Sequence, residues 1–248
     1  QPPRVARYLG TDVRRVPVGD QGRLDLDAMA EASRGAGLVF VCNPNNPTST
    51  VYSGDAIAEF VSAVHGASPD TVIHVDEAYH EYVTDPAYYS AATLALETPN
   101  LFVSRTFSKA YGMAGMRVGF GIGHRDTIAE LGRFSLTFNT NSLGQIAAHA
   151  AAQDADYMRR EKARNAEVKK LTVDFFENAS YSVFDSQTNF VFVDIGRPAG
   201  GFRDACRAHG VRVGRDFPPF EKTHCRISIG TREEMERAIE VFDQVLEG

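Results

Sequence analysis

Residues 37–79 read GLVFVCNPNNPTSTVYSGDAIAEFVSAVHGASPDTVIHVDEAY, and their texture decides the fold. Two short apolar runs, Gly37–Cys42 and Thr71–Asp76, are rich in β-branched residues and read as buried strands. Between them Ser53 caps a helical pattern that runs to about His65. Alternation of this kind predicts an α/β layer around a mostly parallel sheet.

The pattern extends outward in both directions. Val13–Val18, Leu101–Arg105 and Val118–Gly123 read as further strands. Pro3 suits a first helical turn that Gly10 ends, and Asp25 caps a helix reaching about Arg34. After Gly123 helices dominate, over Arg125–Phe134, Ser142–Gln153 and Asp156–Asn178. The tail then reads as strands Tyr181–Phe184 and Asn189–Ile195, helix Gly200–His209, strands Val211–Gly214 and His224–Ile229, and helix Thr231–Leu246. Thr231 and Glu234 have the spacing of a capping box. Met235, Ile239, Phe242 and Leu246 fall on one face of that last helix. The predicted organisation is a large domain over 1–156, a connecting helix over 157–178 and a smaller α+β domain over 179–248.

Composition excludes several classes. The chain has 248 residues, 43% hydrophobic and 23% charged, with 21 Gly and 11 Pro, which is ordinary globular and neither disordered nor collagen-like. A net charge of −6 argues against broad nucleic-acid binding, which needs a basic footprint. Cys42, Cys206 and Cys225 form no CxxC pair, so they read as free thiols. His80-Glu81 opens like a zincin helix, but Thr84 stands where the second histidine is needed, so no metal site is expected. No apolar run is long enough to span a membrane. Cytoplasmic location is the default expectation, with an export signal in an absent amino-terminal part left open.

Three loops follow predicted strands, and open α/β sheets bind ligands outside the carboxyl ends of their strands. They are Asn43–Thr48, Asp76–Tyr79 and Thr106–Lys109, with Arg117 close behind. An aspartate at the end of a buried strand suits a ring N–H cation. A tyrosine hydroxyl and an asparagine amide suit a phenolate oxygen. Two hydroxyls and an arginine fork suit a phosphate. A lysine in the same cup can condense with an aldehyde. Together these groups describe pyridoxal 5′-phosphate (PLP). The alternating glycines of Gly119–Gly123 lack the strand-before, helix-after context of a nucleotide loop and read as structural.

The segments VCNPNNPT (41–48), VDEAY (75–79), RTFSKAYGMAGMRVGF (105–120) and CRISIGT (225–231) resemble the fold-type-I, class I/II PLP-dependent aminotransferases, and among them the histidinol-phosphate aminotransferase-like group. The resemblance implies a PLP-dependent transferase-like large domain with a mostly parallel sheet and a smaller C-terminal α+β domain. It assigns Lys109 to the Schiff base and proton transfer, Asp76 to the pyridinium nitrogen, and Tyr79 and Asn46 to the phenolate oxygen. Thr106, Ser108 and Arg117 become phosphate ligands. Arg226 becomes the grip on the substrate carboxylate, Arg215 an assisting arginine at a substrate phosphate, and Asn189 a residue near the substrate. The implied partners are a small amino donor, a 2-oxo acid acceptor and a second copy in a homodimer, with neither nucleic acid nor membrane.

The resemblance begins about one third of the way into the family's length. The part it leaves out carries an N-terminal arm, two strands, a glycine-rich phosphate loop and an aromatic that stacks on the cofactor. One such strand is expected between Val13–Val18 and Gly37–Cys42, so an unpaired sheet edge is expected there. Either the chain comes from a longer protein, or it repairs the sheet by rearranged pairing or association. Ser49, where glycine is usual, is expected to alter its turn. Three functions stay open at this point: aminotransferase, another PLP chemistry (decarboxylase, lyase or cyclase), and a non-catalytic PLP-binding partial domain.

Overall fold

The computed structural model describes residues 2–247. Strands β1 (Leu38–Cys42), β2 (Val72–Asp76), β3 (Leu101–Thr106) and β4 (Gly119–Gly123) form one sheet in that order. The β1–β2 and β2–β3 pairs are parallel, and β4 runs antiparallel to β3. β1 is an edge of this sheet. Register sets Cys42 beside Asp76 and Asp76 beside Ser104, so the functional ends of the parallel strands lie level.

One sheet face is sealed. Val39, Val41, Ile73, Val75, Leu101 and Val103 point into a core with Ile57, Phe60, Val61 and Val64 of helix α3 (Gly54–Ala67). Helices α1 (Pro2–Tyr8) and α2 (Leu26–Ala32) precede it in the chain. Ser53 caps α3 and Asp25 caps α2 through their side chains, as the sequence predicts. Helix α4 (Ala92–Glu97) was not predicted, because its six residues are too few to show a period.

Helices α5 (Arg125–Gly132), α6 (Ser142–Gln153) and α7 (Ala155–Asn178) lead to a second sheet. Its strands β5 (Ser182–Val183), β6 (Phe190–Asp194) and β7 (His224–Ser228) are antiparallel. They share a core with α7, α8 (Ala199–Ala208) and α9 (Arg232–Glu247), built on Phe176, Val191, Val193, Phe202, Ile227 and Phe242. The capping box at α9 forms: Thr231 N donates to Glu234 Oε2 at 2.7 Å and Glu234 N to Thr231 Oγ1 at 3.2 Å. Among the described residues no helix is long and apolar enough to cross a membrane.

Two predicted strands are corrected. Val13–Val18 is no strand; Val18 makes only an isolated bridge to Leu24. Pro17 offers no N–H to a ladder, and Arg14 turns away to donate to Ala32 O and Arg34 O at the end of α2. The run therefore does not lie beside β1. Val211–Gly214 is no strand either. Its link to β7 is the bond from Gly214 N to Arg226 O, 2.8 Å. A Cβ on Gly214 would stand 2.5 Å from that carbonyl, so the close approach requires glycine.

Candidate active site

The loop after β1 is held by its own polar side chains. Asn43 both accepts from Tyr52 N and donates to Tyr52 O, and Asn45 Nδ2 donates to Thr48 Oγ1 at 2.7 Å. Ser49 adopts a left-handed φ of 64°, the conformation glycine takes more easily, and its N–H bonds Asn45 O. The turn thus tolerates serine without unwinding. With Asn43 and Asn45 turned inward, Asn46 is exposed and free to reach across.

At the end of β2, Asp76 Oδ1 accepts from Ala78 N at 3.1 Å and faces Ser104 Oγ at 3.5 Å. No hydrogen bond among the described residues reaches Oδ2. Burial pushes the Asp76 carboxyl above its ordinary value, while these two donors and nearby Lys109 pull it back. Tyr79 is buried, with its ring edge-on to Phe190 at 5.2 Å. Lys109 Nζ lies 5.1 Å from the centre of the Tyr79 ring. The aspartate, the tyrosine and the lysine therefore share one cup.

The loop after β3 folds back on β4. Ser108 N donates to Thr106 Oγ1 at 3.0 Å, and Arg117 Nη1 reaches Ser108 Oγ at 3.4 Å and Ala114 O at 2.7 Å. Arg117 is exposed and left-handed, with φ 56°. Two hydroxyls and one guanidinium thus meet beside Lys109, a donor set suited to a phosphate dianion.

The second sheet supplies Arg226 from β7. Its guanidinium lies 4.5 Å from the Phe190 ring centre and 5.3 Å from that of Phe217. Nη1 lies 3.3 Å from Asn46 Oδ1, and Nε is buried without a hydrogen-bond partner. A buried, unpaired N–H is costly, so this arginine retains donor capacity for an anion. Arg215 lies further out, exposed and stacked on Phe217 at 4.2 Å. Asn189 immediately precedes β6, and its carbonyl accepts from Ile229 N. Arg215 thus approaches the group through the Phe217 ring, and among the described residues no side-chain hydrogen bond ties Asn189 to the cup.

Sequence reading passed over three residues that build this place. Glu77, 1% exposed, accepts from Ala91 N (2.8 Å), Ser90 Oγ (2.7 Å) and Arg105 Nε (3.1 Å). The Glu77–Arg105 pair ties the loop after β2 to β3, one residue from Asp76 and four from Lys109. Charges at the ends of two neighbouring buried strands were the available signal, since an idle charge there is expensive. Phe190 touches both Tyr79 and Arg226, and nothing in its apolar strand pattern marks it out.

The family model described as aminotransferase class I and II matches residues 2–242. A histidinol-phosphate aminotransferase from Brevibacillus brevis is 37% identical over 244 residues, covering 96% of this chain and 65% of that protein. The chain therefore spans about two thirds of the length of such curated relatives. The crystal structure of histidinol-phosphate aminotransferase from Sinorhizobium meliloti, in complex with pyridoxal-5′-phosphate, superposes with a TM-score of 0.89 at 28% identity, over 98% of this chain and 66% of that one. An L-threonine-O-3-phosphate decarboxylase from Porphyromonas gingivalis shares the fold at 20% identity and a TM-score of 0.78, over 99% of this chain and 74% of that one.

Proposed function

This chain belongs to the aminotransferase class I and II family, and on that premise we propose that it serves PLP-dependent transfer of an amino group from an amino acid or phosphorylated amino alcohol to a 2-oxo acid. The observation that carries the reading is the convergence of Lys109, Asp76, Tyr79 and the Thr106–Ser108–Arg117 group at the carboxyl ends of β2 and β3. The residues present fit the cofactor: among the described residues Asp76 Oδ2 has no hydrogen-bond partner, and the phosphate-type donors are grouped. When bound, PLP supplies an aldehyde for amines and a ring that accepts the electron pair of a substrate Cα–H bond.

Each side chain has a separate task. Lys109 would hold the cofactor covalently and, once displaced by the donor amine, its free amine would take the proton from the donor's Cα and, in the acceptor half of the cycle, deliver one to the acceptor's Cα. Asp76 would sit against the ring nitrogen and favour its protonated form. Arg226 Nη1 donates to Asn46 Oδ1, which leaves the amide hydrogens of Asn46 for the phenolate oxygen, beside the Tyr79 hydroxyl. Thr106, Ser108 and Arg117 hold the phosphate. Arg226 binds the substrate carboxylate, and Arg215, stacked on the same Phe217 ring that Arg226 approaches, takes a second anionic group. Asn189, at the mouth of β6, lines the substrate. We divide the work between residues 1–156, which hold the cofactor, and 179–248, which bring the substrate arginines, joined by 157–178.

A second copy belongs to the same reading. It is supported by the exposed apolar side chains Phe134, Leu136, Phe138, Leu143 and Ile146, close together in sequence, since apolar surface of this kind marks protein contacts where it is contiguous. Sedimentation at micromolar concentration tests this, and a monomer at all concentrations would remove it.

The main experiment loads the chain with PLP and screens amino donors by absorbance. The expected result is a band lost on adding donor and restored by a 2-oxo acid, with a borohydride-stable adduct on Lys109. Carbon dioxide release without amino transfer would replace the reading with a decarboxylase. Tight PLP binding with no donor response would replace it with a non-catalytic binding domain.

A further inference from the structure

The sheet face that carries Asp76 also carries a polar pair that the proposed chemistry does not use. His74 and Asp76 are two residues apart on β2, so their side chains leave the same face. Ser104 stands beside Asp76 in the β2–β3 register and shares that face. His74 Nε2 lies 2.8 Å from Ser104 Oγ, and the same hydroxyl lies 3.5 Å from Asp76 Oδ1. The imidazole is clamped: it stacks on Phe102 at 4.3 Å and 15°, and meets Phe40 edge-on at 5.0 Å. An aromatic sleeve of this kind leaves the ring little freedom except to point Nε2 at Ser104. Burial lowers its pKa to about 4, so the ring is neutral near pH 7 and one nitrogen carries a single hydrogen.

A serine hydroxyl has one hydrogen to donate and can accept from a second group. Between a carboxylate and a neutral imidazole, donation to the carboxylate is the stronger bond. The Ser104 hydrogen then points at Asp76, and His74 completes the chain by donating Nε2–H to Ser104 Oγ. Asp76 is thereby held through Oδ1 from both sides, by Ala78 N and by Ser104, with Oδ2 left for a ligand.

We propose that His74 and Ser104 are positioning residues for Asp76, a hydrogen-bond chain along one sheet face that orients the carboxylate toward the ring nitrogen of the cofactor. This rests on the assignment of Asp76 as the partner of the PLP ring. Both would act through the carboxylate, which His74 reaches by way of the Ser104 hydroxyl.

The experiment measures equilibrium PLP affinity of the full chain by fluorescence titration, with melting temperature of the cofactor-free chain as the fold control. Ser104→Ala and His74→Phe, the latter keeping the aromatic stack, are each expected to weaken PLP binding about fivefold. The double variant is expected to match Ser104→Ala, because both act through one chain. Ser104→Thr, which keeps the hydroxyl, is expected to retain affinity. If His74→Phe does not fold, His74→Leu takes its place. Wild-type affinity in the His74 variant, or additive losses in the double variant, would overturn the proposal while Asp76→Asn still weakens binding. Equal PLP binding, or none, in the wild-type and Asp76→Asn chains would instead overturn the assignment of Asp76 and the proposal with it.

Discussion

Asn46 and Arg226 lie 180 positions apart in the chain, yet the guanidinium Nη1 of one stands 3.3 Å from the amide Oδ1 of the other. The contact joins the loop after β1 to the middle of β7, and so connects the cofactor side of the cup to its substrate side. Phe190 supports the same junction, with Tyr79 T-shaped against its ring and Arg226 over its face.

Arg226→Ala should therefore reduce kcat/KM by about 10- to 150-fold, the worth of charge-assisted hydrogen bonds to a carboxylate. Arg226→Lys should recover only part of this, because an ammonium lacks the planar fork. Steady-state kinetics on the donor found in the absorbance screen measures both, and a lysine variant equal to wild type would show that only charge matters.

Lys109→Ala should lower turnover by at least about 100-fold, the lower range for a lost acid–base group. The fold should survive, since Lys109 is half-buried and among the described residues its side chain makes no hydrogen bond or ion pair, only the approach to the Tyr79 ring and the field at Asp76. Circular dichroism and turnover measured together decide this. Loss of both would assign the lysine to stability instead.

The Glu77–Arg105 pair should respond asymmetrically to deletion. Arg105→Ala leaves a carboxylate whose side chain is 1% exposed, whereas Glu77→Ala leaves a guanidinium that is 18% exposed and still near Ser90. The first should cost about 3–5 kcal/mol and the second less, because stranded charge is penalised by its burial. Urea denaturation of the two variants orders them, and the reverse order would contradict the argument.

Acid should weaken the fold through His74 and His80. Burial lowers both from 6.5 to about 4. The unfolded chain then binds more protons than the native one between these values, so their contribution is full above about pH 6.5 and is lost as pH falls toward 4. Asp76 and Glu81, raised by burial, act in the opposite sense. The measurement is accordingly a comparison: the urea midpoint of His74→Phe should fall less between pH 7 and pH 5 than that of the wild type.

Much of the site was legible before any coordinate. Loops at strand ends, the N-caps Asp25 and Ser53, and the capping box before α9 are local features, decided by residues within a few positions of one another. The placement of Asp76, Tyr79 and Lys109 at or just after strand ends belongs with them, because a strand end places its following loop whatever lies across the sheet. Pairing was another matter. Val13–Val18 and Val211–Gly214 have strand-like composition, but a strand exists only where a partner offers its ladder. Arg14 and Pro17 divert the first, and a single bond to Arg226 O is all the second finds on β7. The meeting of Asn46 with Arg226, the sharing of Phe190 and the His74–Ser104 line were decided by the tertiary structure alone. They depend on how two sheets approach and which strands fall into register, and those distances are set by packing over the whole chain.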